Sequence, residues 1–224
     1  MLIASRYRSG KLRGVSRRLS RSESQAVTRA RLIASATSLY LRDGYVATSN
    51  DKVAEHAGFS RGAVYSNFNS KEDLALAVLD GHFDDELREL GDALSFGDLG
   101  ERFAAFETWM HRSVRQRDWA LLQAELALAA RSNQAVQDAL ATRDRTIHAA
   151  VTDIVDEVIE LAGISLGPLR SATLASLLLA VTKGVTMAVA ANLDDPMVWL
   201  AELLGQARLL VQLTSHVDAG VSPS

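Results

Sequence analysis

The stretch ATSNDKVAEHAGFSRGAVYSNFNSK, Ala47 to Lys71, decides how the rest of the chain is read. Thr48 and Ser49 are residue types that cap a helix at its N-terminus, and Val53 and Ala54 follow on one face. Gly58 suits a backbone that must turn with positive φ. Ser60 is a second capping residue, and Arg61 to Phe68 reads as a second short helix with Val64 and Phe68, four apart, on its inner side. The spacing carries the argument. A small Ala54 lets two helix backbones approach, Gly58 turns the chain four residues later, and Val64 closes a miniature core six after that. Helix, turn, helix is the pattern.

In such a motif the second helix enters the DNA major groove while the first crosses the backbone. Arg61, at the start of the second helix, can offer two parallel donors to a guanine edge, and Tyr65 and Asn67 add uncharged donors suited to phosphates. Ser70-Lys71-Glu72-Asp73 is a capping signature that opens a further helix, whose exposed amides and Lys71 favour an anion.

The segment Thr28 to Leu79 resembles the DNA-binding domain of the tetracycline-repressor (TetR) family. The residues that carry the likeness are Leu39-Tyr40, Asp43-Gly44-Tyr45, Ala47-Thr48-Ser49, Val53-Ala54, Ala57-Gly58-Phe59-Ser60, Ala63-Val64-Tyr65, Asn67-Phe68 and Ser70-Lys71-Glu72-Asp73-Leu74. One position departs from the family pattern. Where relatives carry an apolar side chain under the first turn of the second helix, this chain has Asn50, so Asn50 is expected either to face solvent or to mark a shifted helix start. The resemblance implies DNA contact through Arg61 and Ala63 at base edges, Gly62 belonging to the same surface, and Thr48, Tyr65, Asn67 and Lys71 at phosphates.

The 224-residue chain is long enough for a substantial core, has three prolines and few aromatics, and favours helices over strands. Without cysteine it has no disulfide framework and no thiolate ligand or nucleophile; that fits a cytoplasmic protein. No metal-ligand spacing, nucleophile-base pair or phosphate-cradling loop stands out, so no enzyme, metal or cofactor is expected. Net charge is −3, but residues 1–31 carry nine Lys and Arg against Glu23 alone; that end is +8 and the remainder −11. A basic end on an acidic body is expected where one end meets a polyanion. Residues 1–22, Arg- and Ser-rich with no sustained apolar run, read as a disordered basic arm rather than a signal peptide. The arm either reaches a minor groove through Arg17, Arg18 and Arg21 or is a plain solvated tail.

The expected architecture is all-α: a three-helix helix-turn-helix DNA-binding domain at residues 23–70, a larger helical ligand-binding and dimerisation domain at 71–217, and a loose tail at 218–224. A long helix from Lys71 through Leu74, Val78, Phe83 and Leu87 toward Leu94 belongs to both halves and is the natural lever between them. Phe103, Phe106, Trp109, Met110, Trp119 and Leu122, on two consecutive helices, are ordinary core or the wall of a cavity for an apolar small molecule, with Glu125 and His148 as polar candidates. A long amphipathic segment, Asn133 to Leu161, puts Arg143 among its polar positions. Leu174 to Ala191 is nearly all apolar, but Lys183 near its middle speaks against a membrane span. Apolar on most of its circumference, it requires cover from a partner subunit, together with the last helix at Trp199 to Leu213.

The expected function is that of a sequence-specific transcriptional regulator, a homodimeric repressor that binds a palindromic double-stranded DNA operator and is released by an unidentified small-molecule effector. The alternative is an activator, or a helical interaction module, of the same fold without small-molecule release.

Overall fold

Side-chain caps at Ser20, Ser49, Ser70 and Asp98 place the helix starts that follow them in the computed structural model, which describes residues 20–95, 97–162, 170–193, 197–198, 200–206 and 208–209. Helix α1 spans Arg21–Asp43 behind a reciprocal box in which Ser20 accepts from the Glu23 N–H and Glu23 accepts from the Ser20 N–H. It therefore starts before the expected domain boundary at residue 23, and the end of the expected basic arm is helical; positions 1–19 lie outside the described residues. Gly44 ends α1 with φ +86°.

Helix α2 is Asn50–Ala57, capped by Ser49, and ends at Gly58, whose φ of +74° is the left-handed conformation that glycine adopts without strain. Helix α3 is shorter than its sequence pattern, Arg61–Tyr65, because Asn67 N–H bonds only three residues back, to Val64 O, while the Asn67 side-chain amide takes Ala63 O, the carbonyl its backbone would have used in an α-helix. Helix α4, Lys71–Leu94, begins at Ser70, whose hydroxyl accepts from Asp73 N–H. The body then comprises α5, Leu99–Ser113, capped by Asp98 and Glu101; α6, Arg117–Ala129; a short 3-10 turn; α7, Gln134–Ala162; and α8, Ser171–Ala190. Helical residues resume at 197–206 where described. The described residues contain no strand. In the expected last helix, Trp199 and residues 210–213 fall outside the described residues, as does the expected tail.

Two apolar clusters hold the chain together. The larger joins Leu32, Ala36 and Tyr40 of α1 to Val53, Val64 and Phe68, and continues without a break through Leu74, Val78 and Leu79 of α4 to Leu122 and Leu126 of α6. A boundary at 70/71 thus cuts a single core. The smaller gathers Met110 of α5 and Val114 just after it, Val185 of α8, Leu200 and Leu204.

The glycines give a paired test. A Cβ at either Gly58 or Gly81 meets nothing within 4 Å, so only the backbone differs. Gly58→Ala is expected to lower stability by about 1 kcal/mol through its positive φ. Gly81→Ala, inside α4, is expected to raise it by up to about 1 kcal/mol. Chemical denaturation of the two variants reads both signs.

Candidate nucleic-acid interface and internal cavity

The first three helices present one exposed edge. Arg61 projects from the first turn of α3 with its side chain 67% exposed, its guanidinium 5.5 Å from the Tyr65 ring centroid and its Nε 3.0 Å from Asp51 Oδ1 on α2. Its pKa is raised by Tyr65 first and Asp51 second, and it is cationic at any working pH. Tyr65 is itself half exposed, Gly62 is exposed and Ala63 half-buried beside it. Arg61, Gly62, Ala63 and Tyr65 therefore share one accessible surface. Ser60 caps α3 without a side-chain hydrogen bond. Lys52, on the exposed side of α2, was not singled out by the motif; its Nζ lies 3.1 Å from Ala47 O.

Three other expected contacts are engaged elsewhere. Thr48 is corrected outright: it is 1% exposed and its hydroxyl donates to Gly44 O at 2.8 Å, so it fastens the turn after α1 and has no surface to offer a phosphate. Asn67 turns its amide inward, donating to Ala63 O at 2.8 Å, with Oδ1 buried; Arg29 Nη1 donates to Asn67 O and its guanidinium lies 4.2 Å from the Phe68 ring centroid. Lys71 is half-buried, with Nζ 4.2 Å from the Tyr45 ring centroid and donating to Val46 O at 3.3 Å. Burial lowers its pKa, and the Glu72 and Glu125 carboxylates pull the other way.

Lys71 belongs to a joint between the two halves. Tyr45 donates to Glu72 Oε1 at 3.0 Å, and Glu125, reaching over from α6, accepts from the Val46 N–H at 3.0 Å. A Cβ on Gly44 would come within 3.2 Å of Glu125 Oε1, so the glycine permits both the turn and this approach. Glu125 is thus not a ligand anchor but a tie to the head of the molecule. Its partner is 79 residues distant, and no spacing rule reveals that.

Asn50 neither faces solvent nor shifts the helix. It is the first residue of α2, 9% exposed, with a buried Oδ1 that no donor meets.

In the body, α4 to α8 line a cavity of about 520 Å3 that opens to solvent. Trp109 and Trp119 line it, as their helices suggested. Phe106, Met110 and Leu122 do not: Phe106 and Met110 pack in the smaller core and Leu122 is fully buried in the larger. Phe103 stacks beside Phe106 with centroids 6.3 Å apart, outside the wall. His148 also lies outside, its Nε2 2.8 Å from Ser176 Oγ between α7 and α8. The wall instead includes His82, stacked on Trp119 at 3.9 Å, and Arg143, whose side chain is only 12% exposed although its neighbours made it read as polar surface. Burial holds His82 below the usual histidine pKa, so it is neutral at pH 7.

Comparison with known proteins fits this geometry. The family model described as "Bacterial regulatory proteins, tetR family" matches residues 32–78. The HTH-type transcriptional activator FasR of Mycolicibacterium smegmatis is 36% identical over 66 residues, a stretch that covers 30% of this chain and 30% of that relative. Among solved structures, a TetR-family regulator from Rhodococcus sp. superposes with a TM-score of 0.67 at 17% identity, over 83% of this chain and 99% of that one. Salmonella enterica GusR superposes with a TM-score of 0.62 at 22% identity, over 84% and 95%. At those identities the structural likeness is one of fold. The family match falls within the segment from α1 to α4, and the likeness over most of the chain is to the fold of such regulators.

Asn50 yields a test of the head. Removing an unmet buried carbonyl and keeping the branched shape, Asn50→Leu is expected to raise stability by about 1 kcal/mol. A midpoint in urea at or below that of the parent contradicts this account of Asn50.

Proposed function

We propose that the chain is a sequence-specific DNA-binding regulator of transcription, cytoplasmic and homodimeric, whose body binds a small molecule that changes its affinity for a palindromic operator. The observation that carries this reading is the exposed Arg61–Tyr65 edge of α3 on a head that matches the TetR family. Arg61 would read a guanine edge with Gly62 and Ala63 alongside. Tyr65 and Lys52 would meet phosphates, and Lys71 would do so by leaving Val46 O. To bind, Arg61 exchanges Asp51 for a base. Both partners of that ion pair are more than half exposed, so water already screens it and little opposes the exchange.

Dimerisation is supported by unspent apolar surface. Leu177 and Met187 on α8, with Val198, Leu203 and Leu209 beyond it, are each about half exposed. A soluble helix with that much uncovered surface calls for a partner, and a two-fold related copy supplies the same patch. By length and composition α8 would also suit a bilayer, but Lys183 and Asp144 pair on its exposed side.

Coupling between the ends would run through α4 and α6, both of which line the cavity and enter the joint. A ligand shifts the protein between states only by the difference in its affinity for them. The proposal therefore requires that cavity occupancy disfavour the Glu125–Val46 contact. Repression is the primary reading; the matched relative is an activator, so a bound protein that promotes transcription remains the second.

Selection of bound sites from random duplex DNA with the full chain tests the reading. Two-fold symmetric sites with half-sites spaced by about one helical turn are the expected outcome. Arg61→Ala is then expected to lose about tenfold or more in preference for the selected site over random duplex, and Lys52→Ala to weaken both alike. Failure to enrich any sequence, with no salt-dependent duplex binding, would point to a helical interaction module instead. Glu125→Ala is expected to change operator affinity with little effect on ligand affinity, measured by anisotropy and calorimetry. Loss of ligand binding with unchanged operator affinity would show Glu125 to be a pocket residue after all.

A further inference from the structure

The cavity's hydrogen-bonding inventory is lopsided. Of its two acidic residues, Glu86 and Asp144, Glu86 on α4 already has donors at both oxygens: Gln116 Nε2 at 2.8 Å from Oε1 and Ser113 Oγ on Oε2, with Arg112 Nη2 3.9 Å from Oε1. Lys183 at the rim is paired with Asp144. The donors fare differently. Trp109 Nε1 and Arg143 Nη2 are both buried and have no acceptor. Arg143 Nε lies 3.3 Å from Asp80 Oδ1 but makes no hydrogen bond there, and the Asp80 side chain is 58% exposed, so water screens much of its charge. Among the described residues, the buried acceptors without a donor are Asn50 Oδ1 and Asn67 Oδ1, with the Tyr40 hydroxyl, and all three lie in the head. What the wall lacks is acceptors.

The surroundings of Arg143 sharpen the point. Its guanidinium carbon lies 4.7 Å from the Phe83 ring centroid, which shields one face of the group. Leu140 and Ile147, one turn to either side of Arg143 on α7, also line the cavity, as do Leu79, Leu90 and the stacked pair His82 and Trp119. Burial lowers the Arg143 pKa while Asp80 and Asp84 raise it, and a guanidinium remains charged throughout the working range. A buried cationic donor without an acceptor is among the more unfavourable arrangements a helical body can hold, and a carboxylate relieves it through charge-assisted hydrogen bonds.

We infer that the cavity takes an amphipathic organic acid, its apolar body against the aromatic and aliphatic wall and its carboxylate on Arg143, with Trp109 Nε1 donating to a further acceptor atom. The inference deepens the ligand-responsive reading above and rests on it. A cationic ligand would have to compete for Glu86 with Gln116, Ser113 and Arg112 while adding like charge near Arg143. A neutral hydrocarbon would fill the space and leave both donors unmet. The volume suits a drug-sized molecule rather than a metabolite of a few atoms.

Calorimetric titration of the full chain without DNA tests this. Two matched sets serve as probes: dodecanoate, dodecan-1-ol and dodecyltrimethylammonium below their micellar concentrations, and naphthylacetate with its alcohol and amine counterparts. In at least one set the acid is expected to bind about tenfold or more tightly than its alcohol and its cation. Arg143→Met is expected to bring acid and alcohol within about twofold. Should that variant fail to fold by circular dichroism, Arg143→Lys, which keeps the charge without the paired donors, is expected to narrow the acid's advantage. Equal or tighter binding of alcohol or cation in both sets, no binding by any probe, or an acid preference untouched by these substitutions would overturn the inference. Anisotropy of a selected duplex separates it from the parent reading. An acid that binds through Arg143 yet leaves duplex affinity unchanged upholds the ligand class and removes the release mechanism. Release of the duplex by only the alcohol or the cation rejects the ligand class and keeps the mechanism.

Discussion

The first two turns of α4 are the constraint on which the molecule depends. Leu74, Ala75, Val78 and Leu79 are at most 1% exposed, and they sit in one cluster with α1 and α3 on one side and α6 on the other. Full burial of such a side chain contributes roughly 1.5 to 3 kcal/mol, so this short run commits several kcal/mol to keeping head and body in register. The helix cannot pivot at its start without opening that core. Freedom is greater further along, where Phe83 and Leu87 are half-buried against the cavity and Asp84, Asp85 and Arg88 are exposed. The more deeply buried end of α4 faces the head and the less buried stretch faces the cavity, an order that fits the coupling proposed above.

Around that core lies a polar joint that the apolar packing alone would not define. Tyr45 with Glu72, Lys71 over the Tyr45 ring, and Glu125 on the Val46 N–H bring together the turn after α1, the start of α4 and the middle of α6. Each contact is modest and partly screened, and together they set the angle at which the head leaves the body. Because α6 carries Glu125 on one face and Trp119 and Gln123 toward the cavity, a shift of that helix is felt at both places. Such contacts, held weakly, suit a two-state element better than a deep apolar core does.

The head was legible from sequence because its signals are local. Caps at Ser49 and Ser70, the turn at Gly58, and the inward pair Val64 and Phe68 act within a few residues of one another, and the helices begin or turn where those residues stand. The box formed by Ser20 and Glu23 was equally readable and places the start of α1 before the expected boundary. Misreadings arose where residue type was taken for exposure. Thr48 and Asn67 are polar and belong to the motif, yet the backbone carbonyls one turn before them, of Gly44 and Ala63, claim their donors first. Asn50 shows the reverse: a polar side chain buried where the pattern wanted an apolar one.

By itself the sequence determined the all-helical class, the order of the helices, the helix-turn-helix and the placing of Arg61 at the open end of its second helix, since these follow from periodicity, caps and a turn within a few residues. Only the tertiary structure decided what the body's side chains do. Arg143 stands among charged neighbours and became buried because α4 folds across it; Glu125 turned from the cavity to the head because the turn after α1 passes its end of α6. A cavity wall drawn from five helices has no period in the chain. Its lining is set by how those helices cross, and crossing angles depend on packing between residues far apart in sequence.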